Sequence, residues 1–179
     1  MALMTVGHGP EHRDPLGARL TAAGVELVVD VRRFPGSRNN PDVRREALAE
    51  WLPAVGIGYR WEERLGGRRS LPKGTPVVDD WWTVTQFAAY AAYTRTPEFA
   101  EGLHEVLREA EGRTVAVMCS ESVWWRCHRR IVADVAVLAH RCDVVHLMPD
   151  GRLAPHRPSE AAVLLDGVLT WPRAVDQES

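Results

Sequence analysis

The feature that most constrains this chain is its opening sequence of an apolar run, an amphipathic segment and a second apolar run. Ala2 to Val6 is short and apolar and leads at once into Gly7-His8-Gly9-Pro10, the pattern of a buried strand opening into a loop. Leu16, Leu20 and Ala23 then recur at helical spacing up to Gly24, a good helix stop. Val25 to Val31 forms the next apolar run and ends in Asp30-Val31-Arg32-Arg33. Strand, helix and strand in that order predict a parallel pair joined by a crossover, and hence a layered α/β fold.

The rest of the chain extends the pattern. Asn40-Pro41-Asp42 combines a capping side chain, a proline suited to a first helical position and an acid at the positive end of the dipole; Val43, Ala47, Leu48, Trp51 and Leu52 follow on one face. Ile57 to Trp61 predicts a third strand, and Leu65 to Thr75 a long loop without periodicity. Helices are expected over Val84 to Tyr93 and, capped by Thr96, up to Gly112. Thr114 to Met118 predicts a fourth strand, Trp125 to Arg141 a helix and Asp143 to Met148 a fifth strand. Ala161 to Leu169 fits a short helix or an edge strand, and Asp176 to Ser179 is expected to fray. A chain of 179 residues suits one domain, 1–179, with a mostly parallel sheet of about five strands and helices on both faces, a three-layer arrangement of the Rossmann or flavodoxin kind.

Composition then excludes several classes. Apolar residues at 45% and charged residues at 26% are those of a globular domain, and a net charge of −2 argues against a surface that binds nucleic acid all over. No stretch approaches the ~20 apolar residues of a membrane helix, and no secretory leader is evident, so the chain is expected to work in the cytoplasm without a membrane partner. Its 3 cysteines, Cys119, Cys127 and Cys142, are odd in number and contain no CxxC pair, which fits neither a disulfide scaffold nor a zinc ribbon. Of 22 basic residues only Lys73 is lysine. Arginine clasps phosphate and carboxylate in two-point contacts, but a codon bias towards arginine is the plainer explanation of the excess, so position must decide which arginines matter.

Position is informative because ligands of open parallel sheets bind beyond the carboxyl ends of the strands. At those ends stand Gly7 and His8, then Asp30 and Arg32, then Cys119, Ser120 and Glu121, and near the fifth end His146. Arg126, Cys127, His128, Arg129 and Arg130 open the following helix. Ionisable groups are costly at the ends of apolar strands unless partnered, so their accumulation suggests a site. Plainer roles fit some of them: Asp30 with Arg32 as an ion pair, His8 as a backbone tie, His146 and Cys142 as core residues. A cysteine in the first turn of a helix, among Arg126, His128 and Arg129, is a candidate reactive thiol. Cys119 and Arg126 resemble the cradle of thiol phosphatases, but six residues, Ser120 to Trp125, lie between them, one more than that cradle holds, and two of them are tryptophans. A metal site from Cys119, Cys127, His128 and His8 is chemically possible, although adjacent Cys127 and His128 on a helix would point roughly 100° apart.

Thr5-Val6-Gly7-His8, Val29-Asp30-Val31-Arg32 with Pro35 and Ser37-Arg38, Gly56-Ile57-Gly58-Tyr59, Leu65-Gly66-Gly67, Cys119-Ser120-Glu121 and Cys127-His128-Arg129 together resemble the bacterial and archaeal DUF488 family, in order over roughly residues 4 to 148. In that family the first motif usually continues with serine where this chain has Gly9. The resemblance implies a compact α/β domain with a polar site built from these motifs, and no established reaction.

The leading expectation is a small enzyme, a thiol-dependent hydrolase or transferase, that binds a nucleotide-like or phosphorylated anion at the carboxyl edge of the sheet. Cys119 or Cys127 would be the nucleophile or redox centre, Glu121 and His8 the acid and base. Arg32, Arg38, Arg126 and Arg129 would clasp the anion, with Asp30, Ser37, Tyr59 and His128 completing the site. One alternative is a nucleic-acid-binding module using the arginines around Ser37 to Arg45 and Arg64 to Arg69, with the pairs Trp81-Trp82 and Trp124-Trp125 for stacking. The other is a zinc or iron protein using Cys119, Cys127 and His128. No cofactor is identified by the sequence.

Overall fold

The computed structural model describes residues 2–174; Asp176–Ser179, expected to fray, lies outside them. Six strands form the main sheet: β1 (Ala2–Gly7), β2 (Leu27–Asp30), β3 (Gly58–Trp61), β4 (Val115–Cys119), β5 (Asp143–Leu147) and β6 (Leu153–Pro155). Their order is β3-β2-β4-β1-β5-β6, with every pair parallel except β5 and β6. Beside it, β7 (Val163–Leu165) and β8 (Val168–Thr170) make a separate hairpin.

Five α-helices lie in the described residues: α1 (Arg13–Ala22), α2 (Arg45–Ala54), α3 (Thr85–Tyr93), α4 (Pro97–Gly112) and α5 (Arg129–His140). The central strands β1, β2 and β4 are buried on both faces and their residues alternate between two cores. Ala116 and Met118 pack with Leu16, Leu20, Leu48 and Leu52 of α1 and α2. Val115, Val117 and Cys119 pack on the opposite side with Phe99, Leu103, Ile131 and Val135 of α4 and α5. Helices thus pack on both sides of the mostly parallel sheet.

The strand order departs from the doubly wound order 3-2-1-4-5-6. Here β4 is inserted between β2 and β1. Both neighbours of β4 continue into helices on one face, whereas β4 continues into α5 on the other. The chain therefore parts at the carboxyl end of β4 in two directions and leaves a crevice there. The register levels the three ends: Gly7 lies opposite Cys119, and Asp30 opposite Met118.

Two expected boundaries move. The side chain of Asn40 does cap, accepting from the Asp42 amide at 3.1 Å, but the helix it starts is one 3-10 turn, Pro41–Val43. Arg44 then adopts an extended conformation (ψ 148°) before α2 begins. The expected helix from Trp125 instead starts as a 3-10 turn, Trp124–Arg126; Cys127 is extended (φ −129°, ψ 151°) and α5 begins at Arg129.

Arg19, on α1, faces inward rather than to solvent. Its guanidinium donates to the carbonyls of Gly7 (2.8 Å) and Leu147 (3.2 Å) and pairs with Glu11 at 2.5 Å, tying together the ends of β1 and β5.

After β5, the Met148 amide bonds Arg152 and the Gly151 amide bonds Met148, a reversal that lays β6 antiparallel on the edge. The segment beyond is held by a buried polar chain. His156 donates from Nε2 to Asp134 (2.7 Å), accepts at Nδ1 from His146 Nε2 (2.9 Å), and His146 Nδ1 accepts from the Thr5 hydroxyl (2.6 Å). The indole of fully buried Trp171 donates to the other oxygen of Asp134 at 2.8 Å. His146 thus occupies the fifth strand as a core residue, stacked on Trp124 at 4.2 Å.

Burial, reinforced by His156 and Arg129, lowers the pKa of His146 from 6.5 to about 3, so this ring is neutral in the fold and must gain a proton when the chain unfolds in mild acid. Its contribution to stability is complete above pH 6.5 and is lost as pH falls towards 3, by about 1.4 kcal/mol per pH unit at most. Urea midpoints measured at pH 7 and 4.5 should fall with acidification, and His146→Gln should reduce that fall; an equal fall in both proteins would refute the assignment.

Candidate functional site

The carboxyl ends of β1, β2 and β4 meet around three short segments. At the end of β2, Asp30 is fully buried and receives four hydrogen bonds. Arg32 supplies Nε at 2.8 Å, Nη2 at 2.5 Å and its amide at 3.1 Å, and the Tyr59 hydroxyl adds one at 2.8 Å. A buried carboxylate so completely satisfied is a structural anchor, and truncating either partner of such a pair leaves an uncompensated buried charge. Burial, followed by the charge of Asp30, raises the pKa of Tyr59 well above 10, which keeps it a neutral donor.

His8 joins the same unit. Its Nδ1 donates to the Gly9 carbonyl at 2.8 Å and its Nε2 accepts from Arg32 Nη1 at 3.3 Å. Both nitrogens are thus occupied, and burial lowers its pKa to about 4. The structure places His8 as a neutral brace for Arg32 rather than as a free base or a metal ligand. Ser37 and Arg38 stand apart from this cluster. The Ser37 hydroxyl accepts from the Asn40 amide at 3.0 Å in a turn, and Arg38 is exposed on the same loop.

The loop after β4 folds back across the end of β1. This fixes Gly7: a Cβ there would stand 1.8 Å from the Glu121 carbonyl oxygen. Beneath the loop lies Arg129, only 1% exposed. Its Nη2 donates to that same Glu121 carbonyl and its Nε to the sulfur of Cys127 at 3.4 Å. Among the described residues no carboxylate lies within ion-pair distance of Arg129, so the nearest group able to balance its charge is the Cys127 sulfur.

The two thiols divide accordingly. Burial pushes the Cys127 thiol up, but a hydrogen bond from Cys119 and the charge of Arg129 outweigh it and bring the pKa down to about 6. That same hydrogen bond, followed by burial, pushes Cys119 up to about 12. His128 sits 3.6 Å from the Cys127 sulfur and 3.9 Å from that of Cys119 through Nδ1. Its Nε2 lies 3.1 Å from the Val31 carbonyl, which only accepts, so Nε2 carries the proton and Nδ1 presents a lone pair. The expectation that Cys127 and His128 diverge fails because Cys127 is extended and His128 begins the helical turn; the backbone changes direction between them and their side chains converge.

Cys119, Cys127 and His128 form the floor of a cleft of about 240 Å³. Its rim carries Arg32, Arg33, Arg68 and Arg126 against a single carboxylate, Glu121. Among the described residues Arg33, Arg68 and Arg126 take part in no ion pair, so those residues leave positive charge at the rim without a paired acid. Arg126 and Glu121 are exposed at the mouth.

Sequence reasoning placed the edge of the sheet correctly but not the whole wall. Arg33, Phe34, Arg68 and, from α3, Gln86 and Phe87 also line the cleft. Gly66-Gly67 was the available signal: a Cβ on Gly67 would lie 2.9 Å from His128 Nδ1, so the long loop presses its backbone against the site. The arginines of the nucleic-acid reading are mostly engaged elsewhere. Arg64 pairs with Glu62 and Glu105, Arg45 lies over Trp61 at 4.2 Å, and Arg69 over Tyr93 at 3.9 Å. Trp82 is buried, and Trp81 packs beneath Arg130.

Among the described residues no helix is long and apolar enough to cross a membrane. No curated protein and no solved structure matches the chain. The model of a family described as Domain of unknown function DUF488 matches residues 14–136, a span that contains Asp30, Arg32, the cysteine cluster and Arg129 and ends before His146. With well over half of its length matched, the chain belongs to the DUF488 family.

Proposed function

We propose that the chain is a small enzyme, a hydrolase or transferase, that binds a phosphorylated or nucleotide-like anion in the arginine-lined cleft and acts on it with the sulfur-rich cluster at the floor. The observation that carries this reading is the convergence of unpaired arginines at the rim with a cysteine sulfur at the floor that faces a buried, carboxylate-free guanidinium. Anions are favoured at the rim because Arg33, Arg68 and Arg126 have no carboxylate partner among the described residues, and a guanidinium offers phosphate two parallel donors. Arg32 contributes differently, since Asp30 and His8 hold it in one orientation before any ligand arrives. Such preorganisation lowers the ordering cost of binding. Glu121, exposed at the mouth, is the carboxylate positioned to exchange a proton with a ligand, while His8 is committed to Arg32.

Binding is tested by calorimetry with inorganic pyrophosphate and AMP. Arg126→Ala should weaken binding by about tenfold or more, the worth of one charge-assisted hydrogen bond, whereas Arg152→Ala, on the turn after β5 and outside the cleft lining, should leave it unchanged. Equal affinity in both variants, or no binding of either anion at low salt, overturns the anion site.

The cysteines give an independent readout. Cys127 and Cys119 line the cleft, whereas Cys142 lies at the opposite end of the sheet and approaches the Asp143 carbonyl at 3.5 Å. In the presence of a chelator, iodoacetamide should modify Cys127 before Cys142, and pyrophosphate should slow only the reaction in the cleft. Modification of Cys142 first, as read by peptide mass mapping, would count against a reactive floor.

A further inference from the structure

We propose that Cys119, Cys127 and His128 bind one zinc-class divalent ion whose remaining coordination position opens into the cleft. This rests on the cleft being the ligand site, and it adds the identity of the group at its floor.

Three observations point to a metal. The two sulfurs and Nδ1 lie within 4.8 Å of one another, and the edges from Nδ1 to the sulfurs, 3.6 Å and 3.9 Å, approach those a tetrahedral ion would set. With Zn–S of about 2.3 Å and Zn–N of about 2.0 Å, a tetrahedral angle gives a sulfur-to-nitrogen edge of about 3.5 Å. Second, His128 has the arrangement found around metal-bound imidazoles: Nε2–H is spent on the Val31 carbonyl, which fixes the ring and leaves Nδ1 as the donor. Third, Nδ1 is kept clear by the absent side chain of Gly67, whose Cβ would stand 2.9 Å away.

The chemistry of the donors selects the ion. Two thiolates and one imidazole suit zinc better than magnesium or calcium, which prefer oxygen. Two thiolates would cancel the ion's charge, and the Nε–H of Arg129 would remain as a hydrogen bond to the coordinated Cys127 sulfur. Three protein ligands leave a fourth position, and since all three line the cleft, that position is where a water or an oxygen of the bound anion would sit. A cluster of this composition at the base of an anion cleft matches the general plan of a metal-assisted hydrolytic or transfer site, in which the ion polarises a bound oxygen.

The test uses the full chain, reduced and stripped with a chelator, titrated with cobalt(II) as a spectroscopic stand-in for zinc. One equivalent should produce a sulfur-to-cobalt charge-transfer band and the intense visible bands of a four-coordinate ion. Cys119→Ser and Cys127→Ser should each weaken binding by more than about 100-fold, beyond what loss of an outer-shell partner costs. Cys142→Ser should change it less than twofold. Absence of the charge-transfer band in the unsubstituted protein, or its survival in the doubly substituted Cys119→Ser/Cys127→Ser protein, overturns the site without recourse to activity. Pyrophosphate added to the cobalt protein should alter the visible bands; unaltered bands with pyrophosphate bound would overturn the open position. Cobalt binding without anion binding would leave the metal site standing and remove the anion reading, and anion binding without the cobalt band would do the reverse.

Discussion

The insertion of β4 between β1 and β2 is the constraint on which the site depends. A parallel strand buried on both faces must send its chain out at its carboxyl end, and the neighbours of β4 have already sent theirs to the α1 and α2 side. The loop from Cys119 to Cys127 is therefore the only one of the three that turns towards α5, and the space it leaves becomes the cleft. Topology here does the work of placement: residues more than a hundred positions apart, His8 and Cys119, are joined by a backbone hydrogen bond of 3.0 Å because their strands lie side by side.

Within that frame, charge is arranged in two unlike ways. At Asp30 and Arg32 it is closed, since each oxygen of the carboxylate has partners and the guanidinium is braced by His8. At Arg129 it is open, because a buried cation meets a sulfur and a carbonyl but, among the described residues, no acid. The closed pair stands at the end of β2, and the open cation stands at the start of α5, which follows the adjacent strand β4. Buried charge is tolerable in both places only because hydrogen bonds replace the lost water, through Asp30 in one case and through Cys127 and Glu121 in the other.

How much of this was legible in the sequence follows from range. The strands β1, β2, β4 and β5, and the accumulation of His8, Asp30, Arg32, Cys119 and Cys127 at their ends, are local patterns of apolar runs closing in polar residues, and they survive translation into structure. The strand order is not local, and nothing in the runs themselves said that β4 would enter the sheet in the middle. Nor was the start of α5 legible: Trp124 and Trp125 continue an apolar pattern into a helix, but they take a 3-10 turn, and a shift of about one turn decides whether Cys127 and His128 diverge or converge. Arg129 looked like one more cation for an anion and is instead buried beneath the loop. The clasp of His146, His156 and Asp134 was invisible because it joins β5, α5 and a proline-rich tail whose short strands carry too few residues to show a period.

Gly7 and Gly67 carry a consequence for how such a site changes over time. At each, a neighbour that belongs to the site occupies the volume a side chain would need: the Glu121 carbonyl at one, His128 Nδ1 at the other. Every polar residue around the cleft can stay unaltered while a single methyl group at either position forces a neighbour in the site to move. The cleft is therefore copied into the chain partly as two silences. A variant of this chain that keeps its cysteines and arginines but loses either glycine would carry the full lettering of the site but not its present shape.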